Sequence, residues 1–467
     1  MSAQAQMTNN QPITWTDPKR LLWLLSPALP LICIAAIVLY SSTGYTAFLY
    51  ATLLVVYMAI PVADWLVGED ESNPPEEFVP KLEADNYYRW IVAAFIPSQY
   101  ALTIYGAYVF ATGDLSLFQM LGLMMSVGWI NGISINTAHE LCHKKSNLER
   151  WMAKITLGPV AYGHFFVEHV RGHHKNVSTP SDPASSKMGE SFYRFLPRTM
   201  IGSAVSAWNI EKTRLNRQDK SVWSLENDNL QAWAVTVVLF AAITSVLGPL
   251  ALAFLVIQAV FGAALLEVVN YIEHYGLLRQ QDSTGRFERC KPEHSWNSNH
   301  VVTNVFLYQL QRHSDHHANP ARRFQALRHF DNTPQLPSGY AGMILVAYFP
   351  PVWRALMDKR VAAHYEGDMT KANILPSARA SLFAQWHNPK AEKIVVSADA
   401  GVAVEHVAED ASAYTCPNCQ YIYQVESGCP NEGFAAGTLW KDIPADWSCP
   451  DCAVRDKVDF VATAKIN

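Results

Sequence analysis

The feature that most constrains the fold is a run of apolar residues without a single charge, at positions 21–40. In a helix that rises about 1.5 Å per residue, this run is long enough to cross the roughly 30 Å of hydrocarbon in a bilayer. It follows Lys19 and Arg20, but it is too long for the core of a signal peptide and has no clear small-residue cleavage site. The sequence therefore predicts a membrane protein whose first span is not removed.

Further apolar blocks extend this prediction to an all-α, polytopic membrane protein with a small C-terminal domain. The predicted spans are six, at about 21–40, 44–67, 88–111, 116–138, 230–247 and 250–273. Three short connections, at 41–43, 112–116 and 248–249, contain no lysine or arginine. By the positive-inside rule, both termini and the 144–228 segment are cytoplasmic, in a bacterial-type cytoplasmic (inner) membrane. Asp64, near the end of the second span, is expected at the membrane interface.

The net charge of −5 hides an asymmetry between two parts of the chain. Between 144 and 228 there are thirteen lysines and arginines against eight acids, whereas residues 411–467 hold seven acids and four bases. Opposite fields of this kind guide an acidic domain towards a basic surface. Because the basic residues adjoin membrane spans and form no recognition motif, no nucleic-acid partner is expected.

Nine histidines in the first part of the chain are candidate metal ligands. Eight of them lie in three sequence clusters, and one is isolated. Residues three and four apart share one face of a helix, so each cluster is expected to present its imidazoles from one surface. The fourth and sixth predicted spans end at His139 and His274, which brings both to the cytoplasmic membrane boundary. All nine can therefore converge in a cytoplasmic helical cap: His139, His143, His169, His173, His174, His274, His313, His316 and His317.

This number of imidazoles exceeds the three or four ligands that one zinc ion takes, so a site for two metals fits better. Imidazole binds iron, copper, zinc and nickel alike, so the ligands alone do not fix the metal. Residues His139 to His143 also match the H-E-x-x-H zinc protease pattern, but that interpretation leaves the other clusters unexplained. The remaining histidines, including His164, His294 and His300, are expected to be ordinary core or surface residues.

Two Cys-Pro-x-Cys pairs near the C-terminus predict a second metal site. Cys416, Cys419, Cys449 and Cys452 can place four thiolates tetrahedrally around one ion, and 29 residues separate the pairs. A structural zinc ribbon is the alternative, although its usual gap is nearer about 15–20 residues. We expect a membrane domain at 1–376, a linker at 377–413 and the metal-binding domain at 414–467.

This tail resembles rubredoxin along its whole length. The resemblance rests on both cysteine pairs and on Tyr421-Ile422-Tyr423, Gly437-Thr438-Leu439-Trp440 and Pro444-Ala445-Asp446-Trp447. Gln420 and Ala453 stand where glycines usually follow the cysteine pairs, and Cys429 replaces a common aspartate. Glycine there gives the backbone an unusual dihedral angle, so the replacements would alter the amide hydrogen bonds that tune the potential. The resemblance implies one iron, held by four thiolates, that carries one electron.

The preceding residues, about 375 of them, resemble the integral-membrane alkane monooxygenases. The resemblance rests on the histidine motifs, on Asn73-Pro74-Pro75-Glu76-Glu77 and on Asn270-Tyr271-Ile272-Glu273-His274-Tyr275-Gly276. It implies terminal hydroxylation of medium-chain n-alkanes to 1-alkanols, with O2 as co-substrate, at a non-haem centre of two iron ions. Electrons would pass from NADH through FAD in a separate rubredoxin reductase to the fused rubredoxin. That tail favours iron over the other metals.

Further expectations concern the surroundings of the metals and the substrate. Carboxylates that adjoin a predicted ligand are candidates for orienting its imidazole, namely Glu140, Glu168, Glu273 and Asp315. An alkane has no hydrogen-bonding group, so only burial, worth about 0.8 kcal/mol per methylene, can bind it. An apolar tunnel that takes the alkane from the bilayer is therefore expected. A membrane fatty-acyl desaturase or another di-iron lipid oxidase is the main alternative, and a metal-transport protein or zinc protease is a more distant one.

Overall fold

The computed structural model describes residues 15–390 and 411–463. As predicted, this part of the chain is mostly helical, with a small strand-containing domain at its C-terminal end. The labelled helices are α1 (Leu22–Thr43), α2 (Thr46–Val67), α3 (Asn86–Thr112), α4 (Leu117–Cys142), α5 (Asn147–Leu157), α6 (Phe192–Asn216), α7 (Asp228–Leu247), α8 (Pro249–His274), α9 (Val301–Phe306), α10 (His313–Ala318), α11 (Tyr340–Ala347), α12 (Pro350–His364) and α13 (Arg379–Trp386). Shorter helical turns include Val79–Ala84, Phe165–Val167, Glu168–His173 and His174–Asn176.

Of the described helices, α1, α2, α4, α7 and α8 are long and apolar enough to cross a membrane. They coincide with five of the six predicted spans. The predicted third span coincides with α3, whose 27 residues are sufficient in length but which is not among the five. Polar residues are buried in α3, where the side-chain amide of Gln99 donates to the hydroxyl of Ser134 at 2.7 Å. The count of six spans and the cytoplasmic cap stay predictions.

The pairing of α4 with α8 positions the histidines at the ends of both helices. Glycines allow the two backbones to approach closely. A Cβ atom on Gly132 would lie 2.8 Å from the carbonyl oxygen of Gly262, and one on Gly128 would lie 2.5 Å from that of Gln258. Both distances are shorter than van der Waals contact, so these positions accept no side chain. The close pairing brings the C-terminal ends of α4 and α8, and with them His139 and His274, to the same region.

Asp64 ties α2 to α9 and is buried between them rather than facing the interface as expected. Its carboxylate accepts hydrogen bonds from the backbone N–H of Thr303, at 2.9 Å, and from the hydroxyl of the same residue. The first turn of a helix has unpaired N–H groups that favour a negative charge. Asp64 therefore caps α9 from a distant helix and fixes its position in the bundle.

The C-terminal domain contains three antiparallel strands, β1 (Ala413–Thr415), β2 (Ile422–Gln424) and β3 (Val461–Thr463), in the order β2-β1-β3. Tyr414 in β1 pairs with Tyr423 in β2 and with Ala462 in β3. Gln420 and Ala453 have φ values of 60° and 55°. The left-handed backbone that the sequence associated with glycine is thus kept at both positions, although L side chains adopt it less readily.

The segment predicted as a linker begins with ordered structure. Helix α13 lies inside residues 377–413, and Leu382 on this helix is buried against the main hydrophobic core. Apolar burial of this kind holds α13 on the membrane domain, so the boundary proposed at residue 376 lies before its last packed helix. Residues 391–410 of the predicted linker lie outside the described residues, and Ala413, at its end, already belongs to β1.

Candidate metal centres and substrate cavity

The structure brings all nine predicted histidines together, in two adjacent clusters. The larger, cluster A, contains His139, His143, His169, His174 and His316, and the smaller, cluster B, contains His173, His274, His313 and His317. Within each cluster the candidate ligand atoms lie within 4.8 Å of one another. Every one of these side chains is buried. The isolated His274 belongs to cluster B, as its position at the end of α8 predicted.

Each cluster is drawn from several motifs, which differs from the expectation that one motif presents one surface. Residues Glu168–His173 form a π-helix, whose hydrogen bonds join residues five apart. This wider turn aligns His169 with His174 in cluster A and directs His173 into cluster B. The motif on α10 is divided in the same way, with His316 in cluster A and its neighbour His317 in cluster B. The divided motifs place the two clusters side by side.

The spacing of the ring nitrogens is that of metal ligands. In cluster A the Nε2 atom of His316 lies 2.8 Å from that of His139 and 3.0 Å from that of His174. In cluster B the Nε2 atom of His313 lies 3.3 Å from that of His274 and 2.9 Å from that of His317. For metal–nitrogen bonds of about 2.1 Å, ligands at right angles lie about 3.0 Å apart.

Hydrogen bonding alone does not account for these contacts. A neutral imidazole nitrogen has either one hydrogen or one lone pair, so it forms one such bond at a time. His316 nevertheless directs the same nitrogen at two imidazoles, and so does His313. Both ring nitrogens of His143 and the Nε2 atom of His173 are buried without a hydrogen-bond partner among the described residues. Buried nitrogens without a hydrogen-bond partner, one set in each cluster, are suited to binding metal ions.

Burial also keeps the imidazoles in the form that binds metal. Loss of solvent lowers the pKa of His169, His174 and His316 well below the ordinary value, and neighbouring imidazoles lower it further. The neutral ring therefore predominates at physiological pH. Because neutral imidazole is the ligating form, no proton has to leave these rings before a metal binds.

The carboxylates named from the sequence occupy different environments. Glu273 places an oxygen 3.3 Å from Nε2 of His313, beside cluster B. Glu140 instead pairs with Lys144 at 3.0 Å, and Asp315 accepts from Arg322 at 2.8 Å. Glu168 is buried, with one carboxylate oxygen unpartnered among the described residues. Of the four, Glu273 is the one whose side chain contacts a cluster imidazole in the described part of the chain.

Asp182 is the functional candidate that sequence reasoning missed. Its carboxylate lies 3.0 Å from Nδ1 of His173 and also accepts from the hydroxyl of Ser185 at 2.6 Å. This contact leaves Nε2 of His173 free to face cluster B, which is how a carboxylate orients a metal ligand. No motif marks Asp182, since it follows His173 by nine positions in an irregular segment. The backbone carbonyl of His294 plays a similar part for His274, at 3.3 Å from its Nδ1 atom.

The described histidines that were not predicted as ligands lie outside both clusters. His164 is buried beside Tyr162, and His300 contacts Glu69 at 3.1 Å. His294 lies near Glu288 and Glu293 in a third group of possible ligands. Lys291 already neutralises that group, since its ammonium lies 2.5 Å from Glu288 and its backbone N–H donates to Nδ1 of His294 at 3.0 Å. Among the described residues, His164 and His300 thus belong to no group of possible metal ligands, whereas His294 belongs to this third group.

A narrow apolar cavity begins at the clusters and extends into the helix bundle. The end of the cavity nearest the clusters is lined by His139 and His169 of cluster A and by His313 of cluster B. The polar side chains that also line the cavity include Asn136, Asn270, Glu273 and Thr303. Deeper in the bundle the walls are apolar, with Leu29, Val56, Trp129, Ile133, Val269 and Ile344 among them. The cavity therefore offers shape and apolar contact along its depth and candidate metal ligands at one end.

In the C-terminal domain the four predicted cysteines converge on one point. The Sγ atoms of Cys416 and Cys452 are 3.8 Å apart, and those of Cys419 and Cys449 are 3.5 Å apart. These separations match the edges of a tetrahedron of thiolates with metal–sulfur bonds of about 2.3 Å. The surrounding core is aromatic, and in it the rings of Tyr414 and Trp440 stack at 4.1 Å.

Comparisons with known proteins agree with both sites. The fatty acid desaturase family matches residues 115–347, and the rubredoxin family matches residues 413–460. An alkane 1-monooxygenase of Acinetobacter baylyi is 49% identical over 373 residues, which cover 79% of this chain and 91% of the relative. Alkane 1-monooxygenase 1 of Alcanivorax borkumensis is 50% identical over 365 residues (78% and 90%), and an alkane 1-monooxygenase of Pseudomonas putida is 45% identical over 393 residues (84% and 98%).

The chain belongs to the alkane 1-monooxygenase family. Its C-terminal part is a rubredoxin domain, so both resemblances seen in the sequence are confirmed. The rubredoxin domain with its four-cysteine site, together with the histidine clusters, supports iron as the metal of this alkane 1-monooxygenase family member. Its apolar helices make it a membrane protein, and its redox partner domain is part of the same chain.

The rubredoxin domain of this alkane 1-monooxygenase family member lies against the basic surface predicted to receive it. Lys145 pairs with Asp451 at 2.6 Å, and Arg171 approaches Glu432 at 3.6 Å. Lys175 donates to the backbone carbonyl of Asp446 at 2.7 Å. Arg289, which lies outside the 144–228 segment, pairs with Asp456 at 2.5 Å and with Asp459 at 2.6 Å. The predicted charge complementarity is thus present and extends beyond the predicted segment.

The residues between the two metal sites are few. The turns from Glu168 to Asn176 carry His169, His173 and His174 on the inner side. Arg171 and Lys175, on the outer side, border a cleft that Cys449 of the rubredoxin domain also lines. A single short helical segment therefore contacts the rubredoxin domain and contributes to both histidine clusters.

Proposed function

We propose that this protein hydroxylates the terminal carbon of medium-chain n-alkanes, using O2, and releases 1-alkanols. The observation that carries the proposal is the pair of buried histidine clusters at the end of an apolar cavity. Two iron ions held by the nine imidazoles would activate O2 for C–H hydroxylation, while iron held by the four thiolates would supply electrons. Asp182 would orient His173, and Glu273 would lie beside cluster B at the end of the cavity that the histidines line.

The cavity residues would bind and orient the alkane. Each buried methylene contributes about 0.8 kcal/mol, and the apolar walls offer no hydrogen bond that could fix the chain in register. Trp129 and Val56, deep among the lining residues, would limit how far the chain enters, so that one end stays at the histidine clusters. We propose that the substrate enters from the bilayer, because α1, α2 and α4 all contribute lining residues and are candidate membrane spans.

The rubredoxin domain would deliver electrons from its docked position. Hydroxylation with O2 consumes two electrons, whereas iron held by four thiolates carries one, so the domain must be reduced twice in each turnover. We propose a separate rubredoxin reductase that takes electrons from NADH through FAD. The turns from Glu168 to Asn176 would provide the short connection between Cys449 and the histidine clusters.

We further propose an orientation in the cytoplasmic (inner) membrane with the histidine clusters, the rubredoxin domain and both termini on the cytoplasmic side. The short connections at 41–43, 112–116 and 248–249 contain no lysine or arginine, which supports this orientation. A cytoplasmic rubredoxin domain would be reached directly by an NADH-dependent reductase.

Product analysis tests the proposed activity. Purified full-length protein in liposomes, supplied with octane or dodecane, NADH and a rubredoxin reductase, should form the primary alcohol. Metal analysis should give about three iron ions per chain, in keeping with two histidine clusters and one four-cysteine site. An unsaturated fatty-acyl product without any alcohol would instead support a desaturase. Absence of iron, with zinc in its place, would reject both oxidative functions.

A further inference from the structure

Helix α6 has an apolar outer face that no described residue covers. Residues 199–210, in its middle turns, include no charged side chain. The inner side of the helix buries Phe195, Thr199 and Ala207, whereas Ile201 and Val205 are 68% and 54% exposed on the outer side. Two exposed β-branched residues one helical turn apart form a stripe, not an isolated surface residue. The helix as a whole is too polar for a span, since Arg194, Arg198, Glu211 and Arg214 lie in it.

Aromatic contacts place this stripe level with the start of a membrane span. The indole of Trp208, on α6, stacks on that of Trp233, with ring centroids 6.1 Å apart and planes 9° apart. Trp233 lies in the second turn of α7, which is a candidate membrane span. Only 17% of the most apolar 18-residue stretch of α7 is buried by other parts of the protein. Trp223, 72% exposed, lies 4.9 Å from Trp208. Tryptophan is enriched at the boundary between lipid and water.

Two basic residues of α6 flank the apolar stripe. Arg194 lies seven residues before Ile201 and Lys212 eleven residues after it, which are about two and three helical turns. Both are exposed, and they flank the stripe on the same side of α6. Their aliphatic stems can cover apolar surface while the charges reach lipid headgroups, which in the cytoplasmic leaflet are often anionic.

We propose that α6 lies in the plane of the membrane surface, with Ile201 and Val205 in the boundary between headgroups and acyl chains. The occupant of the outer face is the bilayer, because the stacking of Trp208 on Trp233 joins this face of α6 to α7, a candidate span whose Val237 and Val238 are exposed. An amphipathic helix of this kind binds by burying one face to a shallow depth without crossing. The last turn of α6 carries Arg214, which donates to the carbonyl of Asn431 at 3.2 Å. The same helix therefore contacts lipid and holds the rubredoxin domain at a fixed depth.

Collisional quenching tests this placement. A fluorescent non-canonical amino acid is introduced at position 201 of the full-length, iron-loaded protein in liposomes of phosphatidylethanolamine and phosphatidylglycerol. Lipids with brominated acyl chains quench from the bilayer, and iodide quenches from water. Position 238 on α7, where Val238 is 67% exposed, is the lipid reference, and position 439 on the rubredoxin domain, where Leu439 is 45% exposed, is the aqueous reference.

We expect position 201 to behave like position 238, with quenching by brominated lipid several-fold stronger than at position 439. Val205→Asp should reduce this quenching at position 201, whereas Thr213→Asp, at an exposed site of α6 that borders the cleft beside the rubredoxin domain, should not. Quenching by iodide as at position 439 would overturn the proposal. Protection from both quenchers would also overturn it, because a second protein surface would then cover the stripe.

Discussion

The histidine and cysteine sites of this protein are assembled in opposite ways. Each cysteine pair sits in a tight local turn, so two short stretches of one small domain supply all four thiolates. The histidines come from α4, α8, α10 and the turns around residue 170, and each cluster needs at least three of these elements. A locally encoded site is held by its own turns, whereas the histidine site depends on the packing of the whole bundle.

The largest expected effect comes from removing an imidazole from the dispersed site. His274→Ala should abolish hydroxylation and lower the iron bound by the membrane domain, because cluster B keeps only His173, His313 and His317. Adding free rubredoxin should not restore activity. His364→Ala, which changes a histidine outside both clusters, is the control. Full activity with an unchanged iron content in His274→Ala would remove this residue from the site.

The corresponding change at the local site should be reversible from outside the chain. Cys449→Ser should lose turnover that depends on the fused domain, since its iron no longer has four thiolates. The membrane domain is unchanged, so an excess of free wild-type rubredoxin with reductase should restore octane hydroxylation. The control is Cys33→Ser, which alters a buried cysteine far from the tail in sequence. If Cys449→Ser supports the full rate without added rubredoxin, the tail is not the electron donor.

A smaller loss is expected where a residue acts through a ligand. Asp182→Asn should lower activity or iron affinity by roughly 10- to 100-fold, since it weakens the contact that orients His173. Glu140→Gln is the matched control, because Glu140 contacts Lys144 and not an imidazole. Iron content and the Mössbauer spectrum distinguish loss of ligand orientation from a general loss of folded protein. Equal effects of the two substitutions would contradict the assignment of Asp182.

The sequence predicted the cysteine site more completely than the histidine site, because the cysteine site is encoded locally and the histidine site depends on tertiary packing. The cysteine pairs and all nine histidines could be named, since each lies in a recognisable motif or at the end of an apolar span. The division of one motif between two clusters could not be predicted. It depends on the π-helical turn that separates His173 from His174, and no motif in the sequence marks this turn. Asp182 and Arg289 reach their partners only through tertiary packing.

The same limit applies to the fold. Apolar blocks predicted the long helices, but not the burial of Asp64 against α9, because hydropathy does not reveal a partner on a distant element. Helix α13 was assigned to a linker, since its eight residues are too short and too polar to stand out. Local composition records the propensity of a segment, whereas these features depend on what the segment packs against.

A moderate effect is expected on substrate choice. Trp129→Leu should deepen the cavity and shift the preference towards longer alkanes, since each additional buried methylene is worth about 0.8 kcal/mol, or about fourfold. Trp90→Leu, the same change at a residue that is 56% exposed and outside the cavity, is the control. Competition between alkanes of different length gives the preference directly. The same shift in both variants would argue that the cavity does not bind the substrate.

The smallest effect is expected at the interface between the membrane domain and the rubredoxin domain. Opposite charges favour docking there, but the covalent connection between the two domains already keeps them close together. Arg289 pairs with Asp456 and Asp459, and the side chains are only 19–23% exposed. Partly screened pairs of this kind contribute up to about 1 kcal/mol, so Arg289→Glu should slow electron transfer from the fused domain about fivefold or less.

The effect of Arg289→Glu should be larger for free rubredoxin added to the Cys449→Ser protein, and it should shrink as the salt concentration rises. Asp456→Arg on the free rubredoxin should recover part of the rate by restoring opposite charges. Stopped-flow reoxidation of the reduced rubredoxin measures each rate. If Arg289→Glu changes neither the fused nor the free reaction at low salt, this docked arrangement is not the one that transfers electrons.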